Sequence, residues 1–195
     1  MLLFAGLLFG ACEPGEHHHH HQDGAHVHGV VRLSVAIDGE KQLGVELHAP
    51  AESIYGFEHS ARSGEDQARQ TQALERLKKD FAALLGLDAQ AGCRIASSVV
   101  EVHGEDDHDG GHDHGEDHGH HHDDDHDKAV SGEHSEVHVE YVYECERAIS
   151  ETELRPTLHA AFGGIQTIQV QILGDNRQES SVITRAGAED ARIQL

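Results

Sequence analysis

Residues 27–49 read VHGVVRLSVAIDGEKQLGVELHA, with apolar side chains at most odd-numbered positions. The alternating apolar residues are Val27, Val31, Leu33, Val35, Ile37, Leu43, Val45, Leu47 and Ala49. This alternation predicts two half-buried β-strands, and Asp38-Gly39 between them predicts a hairpin turn. A three-residue turn that pairs Ile37 with Lys41 keeps both apolar sets on one face, whereas a two-residue turn would separate them. We therefore predict a β-hairpin in which His48 faces Val30.

The later segments predict an α+β fold with two helices and a largely antiparallel sheet. A helix over residues 63–85 begins with a capping box of Ser63 and Asp66 and ends before Gly86. A second capping box, Ser150 with Glu153, predicts a short helix that reaches Phe162. Four more strands are predicted by alternating apolar residues within 92–102, 137–143, 168–172 and 182–184.

A long polar insertion separates two of these strands. Residues 103–134 consist almost entirely of His, Asp, Glu and Gly, with no large apolar side chain before Val130. Such a segment cannot offset the entropy of ordering itself, so we predict a disordered His/Asp-rich loop over 103–134. A flexible His-rich lead over residues 13–25 contains the run His17–His21. The predicted organisation is this lead followed by a single domain over residues 26–195.

The first twelve residues form an apolar run that is too short to span a bilayer and is typical of a signal peptide. Residues 8–12, Leu-Phe-Gly-Ala-Cys, resemble the lipobox of bacterial lipoproteins, which implies lipidation of Cys12. The alternative is an ordinary signal sequence in which Cys12 has no role. Under both interpretations the chain is exported. We therefore expect a periplasmic protein that contacts the membrane only through a lipid anchor on Cys12.

The charge balance indicates the class of partner. The chain has 36 acidic residues against 14 Lys and Arg, together with 21 His. Nucleic acids and anionic membranes attract basic patches, so this composition argues against both as partners. Neutral imidazole is a common ligand for late first-row metals. Divalent metal ions are the expected partners, and the composition does not distinguish zinc from nickel or copper.

The insertion supplies many closely spaced candidate metal ligands. They are His108, His112, His114, His118, His120, His121, His122, His126 and His134. Imidazoles one to four residues apart on a flexible chain can close around an ion in many registers, which predicts several weak, interchangeable sites. The alternative interpretation is an acidic linker whose histidines respond to pH.

The predicted hairpin suggests a more ordered site. In that register His26, His28 and His48 share the polar face, with Cβ atoms roughly 7 Å apart. His138 has the same polar parity on its own strand and is a candidate fourth ligand. The alternative is a set of solvated histidines on an exposed face.

Two cysteines flank the insertion. Placing Cys93 opposite Cys145 in an antiparallel pair also sets Ile95 against Tyr143 and Val99 against Val139, in agreement with the parity of both strands. In an oxidising compartment this predicts a disulfide at the base of the loop. Buried thiols and zinc thiolates are the alternatives.

A zinc hydrolase is the competing functional class. Such enzymes need a fixed site with an open position and a general base. The sequence has no His-Glu-x-x-His, and residues 112–118, His-Asp-His-Gly-Glu-Asp-His, have one residue too many for the metallo-β-lactamase pattern. We therefore predict a binding protein rather than an enzyme.

Several short motifs resemble those of the ZrgA-like zinc-regulated periplasmic proteins. They are His26-Val27-His28-Gly29-Val30, Asp38-Gly39, Ala49-Pro50-Ala51-Glu52 and Gly56-Phe57-Glu58-His59. The resemblance implies zinc binding in the periplasm in support of an ABC-type zinc importer. It also marks His26, His28, Glu58 and His59 as motif positions, and a metal role for His59 competes with a purely structural turn.

Overall fold

The structure is a computed structural model that describes residues 27–104 and 134–195. The predicted signal peptide with Cys12, the predicted lead over 13–25, the first domain residue His26, and all but the two ends of the predicted loop lie outside the described residues. Within the described ranges, none of the helices combines the length and the apolar character needed to cross a membrane.

The predicted hairpin forms from strands β1 (Val30–Asp38) and β2 (Gln42–Pro50). Val31, Leu33 and Val35 of β1 are fully buried, as predicted from the alternation. The register differs from the prediction by two residues, because the three-residue turn spans 39–41 and Ile37 pairs with Leu43 rather than Lys41. Gly39 adopts the left-handed conformation at φ 61° in this turn. His48 consequently lies opposite Arg32, not Val30.

The hairpin forms the centre of a six-stranded sheet. The other strands are β3 (Arg94–Gly104), β4 (Ser135–Glu144), β6 (Thr167–Gly174) and β7 (Arg177–Thr184), in the order β3-β4-β2-β1-β6-β7. All neighbours are antiparallel except β1 and β6, which are parallel. The predicted α+β class with a largely antiparallel sheet is therefore confirmed. Two short strands, β5 (Glu153–Leu154) and β8 (Ile193–Gln194), pair separately.

One face of the sheet is covered by helix α2 (Gly64–Leu85), which follows the short helix α1 (Ala51–Tyr55). The predicted cap is present, because Ser63 Oγ accepts a hydrogen bond from the Asp66 amide at 3.0 Å. Phe81 of α2 is buried and stacks on Tyr141 of β4, with ring centroids 4.8 Å apart. Odd-numbered residues of β1, β2 and β4 face this core, so the even-numbered residues of these three strands lie on the opposite, polar face of the sheet.

The predicted second helix over residues 150–162 is wrong. The chain instead forms a 3₁₀ turn at Ile149–Glu151, strand β5, and a four-residue helix α3 (Leu158–Ala161). Pro156 explains the interruption, since its ring disfavours a helical conformation at Arg155 and it cannot donate an amide hydrogen bond.

Strands β3 and β4 carry the insertion and the disulfide at opposite ends. The first pairs are as predicted, with Arg94 opposite Glu144 and Ile95 opposite Tyr143. A bulge then shifts the register, so that Val100 rather than Val99 faces Val139. As a result Val99 is exposed, which corrects its predicted place in the core.

The structure joins Cys93 to Cys145 by a disulfide. Both cysteines lie next to the Arg94–Glu144 end of the strand pair, whereas the chain leaves the sheet for the insertion at Gly104 and returns at Ser135. The expectation that the disulfide fastens the base of the loop is therefore wrong. The base of the loop is held instead by the paired ends of β3 and β4.

Candidate metal centre

Three side chains on the polar face of the sheet form an outer-face cluster: Glu46, His48 and His138. His48 on β2 lies directly opposite His138 on β4, and their rings stack with centroids 4.6 Å apart. Glu46 Oε1 lies 2.8 Å from His48 Nε2 and 3.0 Å from His138 Nε2. One ligand atom from each residue lies within 4.8 Å of the other two, so the three can meet around one metal ion.

Further charged residues surround this cluster. Glu136 Oε1 lies 3.4 Å from His48 Nδ1 and also 3.4 Å from a guanidinium nitrogen of Arg32. Glu101 of the edge strand β3 has its Oε1 atom 3.8 Å from His138 Nδ1. Carboxylates placed on the second ring nitrogen of a metal-binding histidine fix its tautomer and orientation. Glu136 and Glu101 stand in that position for His48 and His138.

His103 extends the polar row toward the insertion. Its Nε2 atom lies 3.8 Å from Glu101 Oε1, and its ring centroid is 6.0 Å from that of His138. Glu101, His103 and His138 also satisfy the proximity expected of three metal ligands. The two ring nitrogens of His138 therefore face two different sets of donors.

The electrostatics of the outer-face cluster favour an ionised carboxylate. Partial burial raises the pKa of Glu46, but hydrogen bonds and charge from His48 and His138 outweigh it, so the pKa falls below its ordinary value. The side chains of His48 and His138 are 29% and 19% exposed, which keeps their rings oriented while leaving access for an ion. Glu46 is thus available as an anionic ligand over the whole neutral range.

A second group, the turn cluster, comprises His28, Glu52, Glu58 and His134. The Nδ1 atom of His28 contacts the Glu52 carboxylate and lies 3.5 Å from Glu58 Oε1. The other oxygen of Glu58 lies 2.6 Å from His134 Nδ1. This cluster lies in the turn before β1, helix α1 and the loop after it, and the residue that precedes β4.

The predicted site of His26, His28 and His48 is not assembled as expected. β1 begins only at Val30, and Gly29 with φ 77° turns the chain, so His28 does not continue the polar face of the strand. The shifted hairpin register moves His48 away from this turn and opposite Arg32. His28 and His48 consequently belong to two separate clusters, while His26 lies outside the described residues.

The remaining predicted ligands divide in the same way. His138 was expected as a fourth ligand and lies in the outer-face cluster. The ring of His59 stacks on Phe57 at 4.8 Å and its Nδ1 is 3.1 Å from the Ser60 carbonyl oxygen, and His59 belongs to none of the described clusters. The eight predicted ligands from His108 to His126 lie outside the described residues.

Apart from Glu58, which the family resemblance marked as a motif position, the carboxylates of both clusters were overlooked in the sequence analysis. Glu46 precedes His48 by two positions, and Glu101 precedes His103 by two, so each pair shares one face of a strand. A search for a carboxylate at i−2 from a strand histidine would have found both. Glu52 has no comparable signal, because it meets His28 only through the fold.

The outer-face cluster has the donor set of a zinc site. Two imidazole nitrogens and one carboxylate oxygen are typical zinc ligands, and three protein ligands leave the fourth tetrahedral position open. An open position on a solvent-facing sheet allows an ion to enter and leave, and it allows a ligand from another chain to share the ion.

The family model described as ZrgA family zinc uptake protein matches residues 25–193, which is most of the chain. Among curated proteins there is no significant match.

Proposed function

Since the chain belongs to the ZrgA family of zinc uptake proteins, we propose that it captures zinc in the periplasm and passes it to an ABC-type zinc importer. The family itself carries the role in zinc uptake. The compartment, the importer and the binding residues are the parts that we add.

The observation that carries the proposal is the pairing of His48 with His138 beneath a shared carboxylate. Both Nε2 atoms lie within 3.0 Å of the same Glu46 oxygen, so the donors already converge on one point. A site whose ligands are held by neighbouring strands loses little conformational entropy on binding an ion. This favours zinc affinity from three protein ligands, although a fourth position remains open.

The open position suits a protein that delivers its ion. Direct transfer, without loss of the ion to solvent, requires that a receiving protein add its own ligand before the first ones leave. A closed four-ligand site would have no position for this exchange. The 19–29% exposure of the two histidines gives the receiving protein access to the ion from the polar face of the sheet.

The His-rich segments supply the second part of the mechanism. The histidines and carboxylates of residues 103–134 raise the local concentration of cations and exchange them rapidly, because each possible site is weak. His103 lies at the point where this segment leaves β3, and its ring centroid is 6.0 Å from that of His138. An ion released by the segment therefore reaches the outer-face cluster over a short distance.

Calorimetric titration of chelator-stripped protein with zinc tests both parts. The double variant His48→Ala/His138→Ala should lose the tightest binding event while most of the stoichiometry remains. Deletion of Glu105–Lys128 should lower the stoichiometry and leave the tightest event intact, since six residues still connect Gly104 to Ser135.

The matched control is His59→Ala, which removes an exposed imidazole outside the described clusters and should leave the tightest event unchanged. If the deletion abolishes tight binding, or if the double variant binds as the parent does, the folded site has no role in capture.

Parallel titrations with nickel and copper test storage of those metals, which the Irving–Williams order makes the main competing function. Growth of a deletion strain that fails only in zinc-poor medium would support zinc uptake over that alternative.

A further inference from the structure

The geometry points to a second zinc site, formed by the turn cluster of His28, Glu52, Glu58 and His134, where both His-rich segments meet the folded domain. This inference rests on the proposed function, because it assumes that the protein binds zinc. It adds a site that is separate from the outer-face cluster and shares no residue with it.

The donor set has the composition of a four-coordinate zinc site. Ligand atoms of His28, Glu52 and Glu58 lie within 4.8 Å of one another. Glu58 lies between the two imidazoles, with one oxygen 3.5 Å from His28 Nδ1 and the other 2.6 Å from His134 Nδ1. Two imidazole nitrogens and two carboxylate oxygens are a donor set that suits four-coordinate zinc, and the His28 and His134 ring centroids lie 6.5 Å apart on either side of Glu58.

The central carboxylate is held in place by its neighbours. The Glu58 side chain is only 13% exposed, and its backbone carbonyl accepts a hydrogen bond from Ser135 Oγ at 2.7 Å. Phe57 next to it is buried and contacts the Tyr55 ring at 4.7 Å between centroids. Ser135 adjoins His134, so this hydrogen bond also keeps the two ligands next to each other.

The other pair of ligands is held by a second backbone contact. The Gly29 amide donates to Ser53 Oγ at 3.2 Å, which ties the residue after His28 to the residue after Glu52. The Gly29 carbonyl accepts from the amides of Gln166 and Thr167 at 2.8 and 2.9 Å. Each ligand pair is therefore fixed by a hydrogen bond that involves the ligand residues or their direct neighbours.

The charge of the cluster calls for a cation. Two ionised carboxylates beside two neutral imidazoles carry two negative charges, and the nearly buried Glu58 has little water to solvate its share. A divalent ion balances both charges and binds all four donors.

The position of the site allows it to receive ions from both His-rich segments. His28 is two residues beyond His26 and close to the His17–His21 run, while His134 is the last residue of the insertion. An ion bound here connects the entry of the lead into β1 with the return of the insertion into β4. Ions carried by either segment therefore reach the same four donors.

Histidine footprinting of the full chain tests this site. Diethyl pyrocarbonate modifies free imidazoles, and mass spectrometry then reads each histidine separately with and without zinc. At free zinc about ten times the dissociation constant, we expect modification of His28 and His134 to slow together by about tenfold, because the fraction of unbound site falls as 1 + [L]/Kd rises. In Glu58→Gln both protections should disappear, while His48 and His138 remain protected.

Glu65→Gln, on an exposed turn of α2, is the matched control and should protect as the parent does. Glu52→Gln provides a second variant at a more exposed carboxylate, and it should remove the protection of His28 if Glu58→Gln fails to fold. Protection of His134 that survives both variants, or His28 and His134 that stay reactive with zinc, overturns the second site. If His48 and His138 also stay reactive, the proposed function fails as well, so the two failures are distinguishable.

Discussion

Replacing Cys93 and Cys145 by alanine should destabilise the fold strongly without changing the affinity of the outer-face cluster for zinc. The disulfide closes a chain segment with a sequence separation of 52 residues. The chain-entropy relation for a loop of that length gives a stabilisation of about 4 kcal/mol, acting through the unfolded state. This is a large part of the total stability of an ordinary domain, which is about 5–15 kcal/mol.

Zinc affinity should be unaffected because the disulfide lies far from the outer-face cluster. His138 lies seven residues before Cys145 along β4, which is about 23 Å at the rise of an extended strand. Its strand partners, Glu101 on β3 and His48 on β2, lie at the same end of the pairing. Losing the covalent link should loosen the Arg94–Glu144 end first and leave the region around His138 paired.

Urea unfolding of metal-free protein measures the first quantity, and zinc titration in the absence of urea measures the second. Alanine avoids placing a hydroxyl at Cys145, which is buried. The parent protein unfolded with a thiol reductant is the control and should match the double variant. A loss below about 1 kcal/mol would refute the loop-entropy argument, since it predicts about four times as much. A tenfold change in zinc affinity would refute the separation of disulfide and site.

Two further predictions concern the packing beneath α3 and β7. Burial lowers the pKa of His159. A hydrogen bond to the Gln166 carbonyl raises this pKa and the charge of Arg185 lowers it, and the net shift is downward, so the folded state favours the neutral ring. The histidine binds a proton near pH 6.5 in the unfolded chain, so the metal-free parent should lose stability as pH falls below this value. Thermal unfolding at pH 5 to 7 should show a smaller loss for His159→Leu. An equal loss in parent and variant would contradict the role of His159. Arg185→Ala should lower the free energy of unfolding, measured in urea, by about 2–3 kcal/mol. The guanidinium donates to the carbonyls of His159, Phe162, Gly163 and Ile165, and the variant loses all of these hydrogen bonds. A change near zero would show that water replaces the guanidinium.

The sequence predicts the hairpin and the long helix well, because both depend on local patterns. Alternation from Val31 to Ala49 requires one buried face, and Ser63 with Gly86 marks both ends of α2. The same local rules failed at Ser150, where a capping box was present but Pro156 six residues later interrupted the helix. A cap indicates where a helix can begin and contains no information about how far it continues.

Register is the quantity that the sequence determined least well. Parity alone does not distinguish the pairing of Ile37 with Lys41 from its pairing with Leu43, since both keep the apolar residues on one face. The bulge after Ile95 was equally hidden, and it reversed the facing of Val99. These two shifts decide which histidines meet, so the candidate site could be predicted only as a set of residue types on a polar face.

The carboxylates of the two clusters depend on contacts between distant segments. Glu58 meets His134 across 76 residues, and the His138–Glu46 contact spans 92. Metal-ligand spacing along the chain reveals sites only when their ligands are close in sequence. The described clusters each take their donors from two or three separate segments, so ligand spacing along the chain did not reveal them.

The place of β3 at the border of the sheet has a consequence for how this chain can vary. Of the strands in the described residues, only β4 pairs with β3, so the connection between these two strands can grow or shrink without forcing any other described strand to move. Each doubling of such a connection adds only about 0.6 kcal/mol of closure cost. The number of His and Asp residues in this connection, and with it the number of candidate metal ligands, can therefore change while the folded scaffold stays as it is.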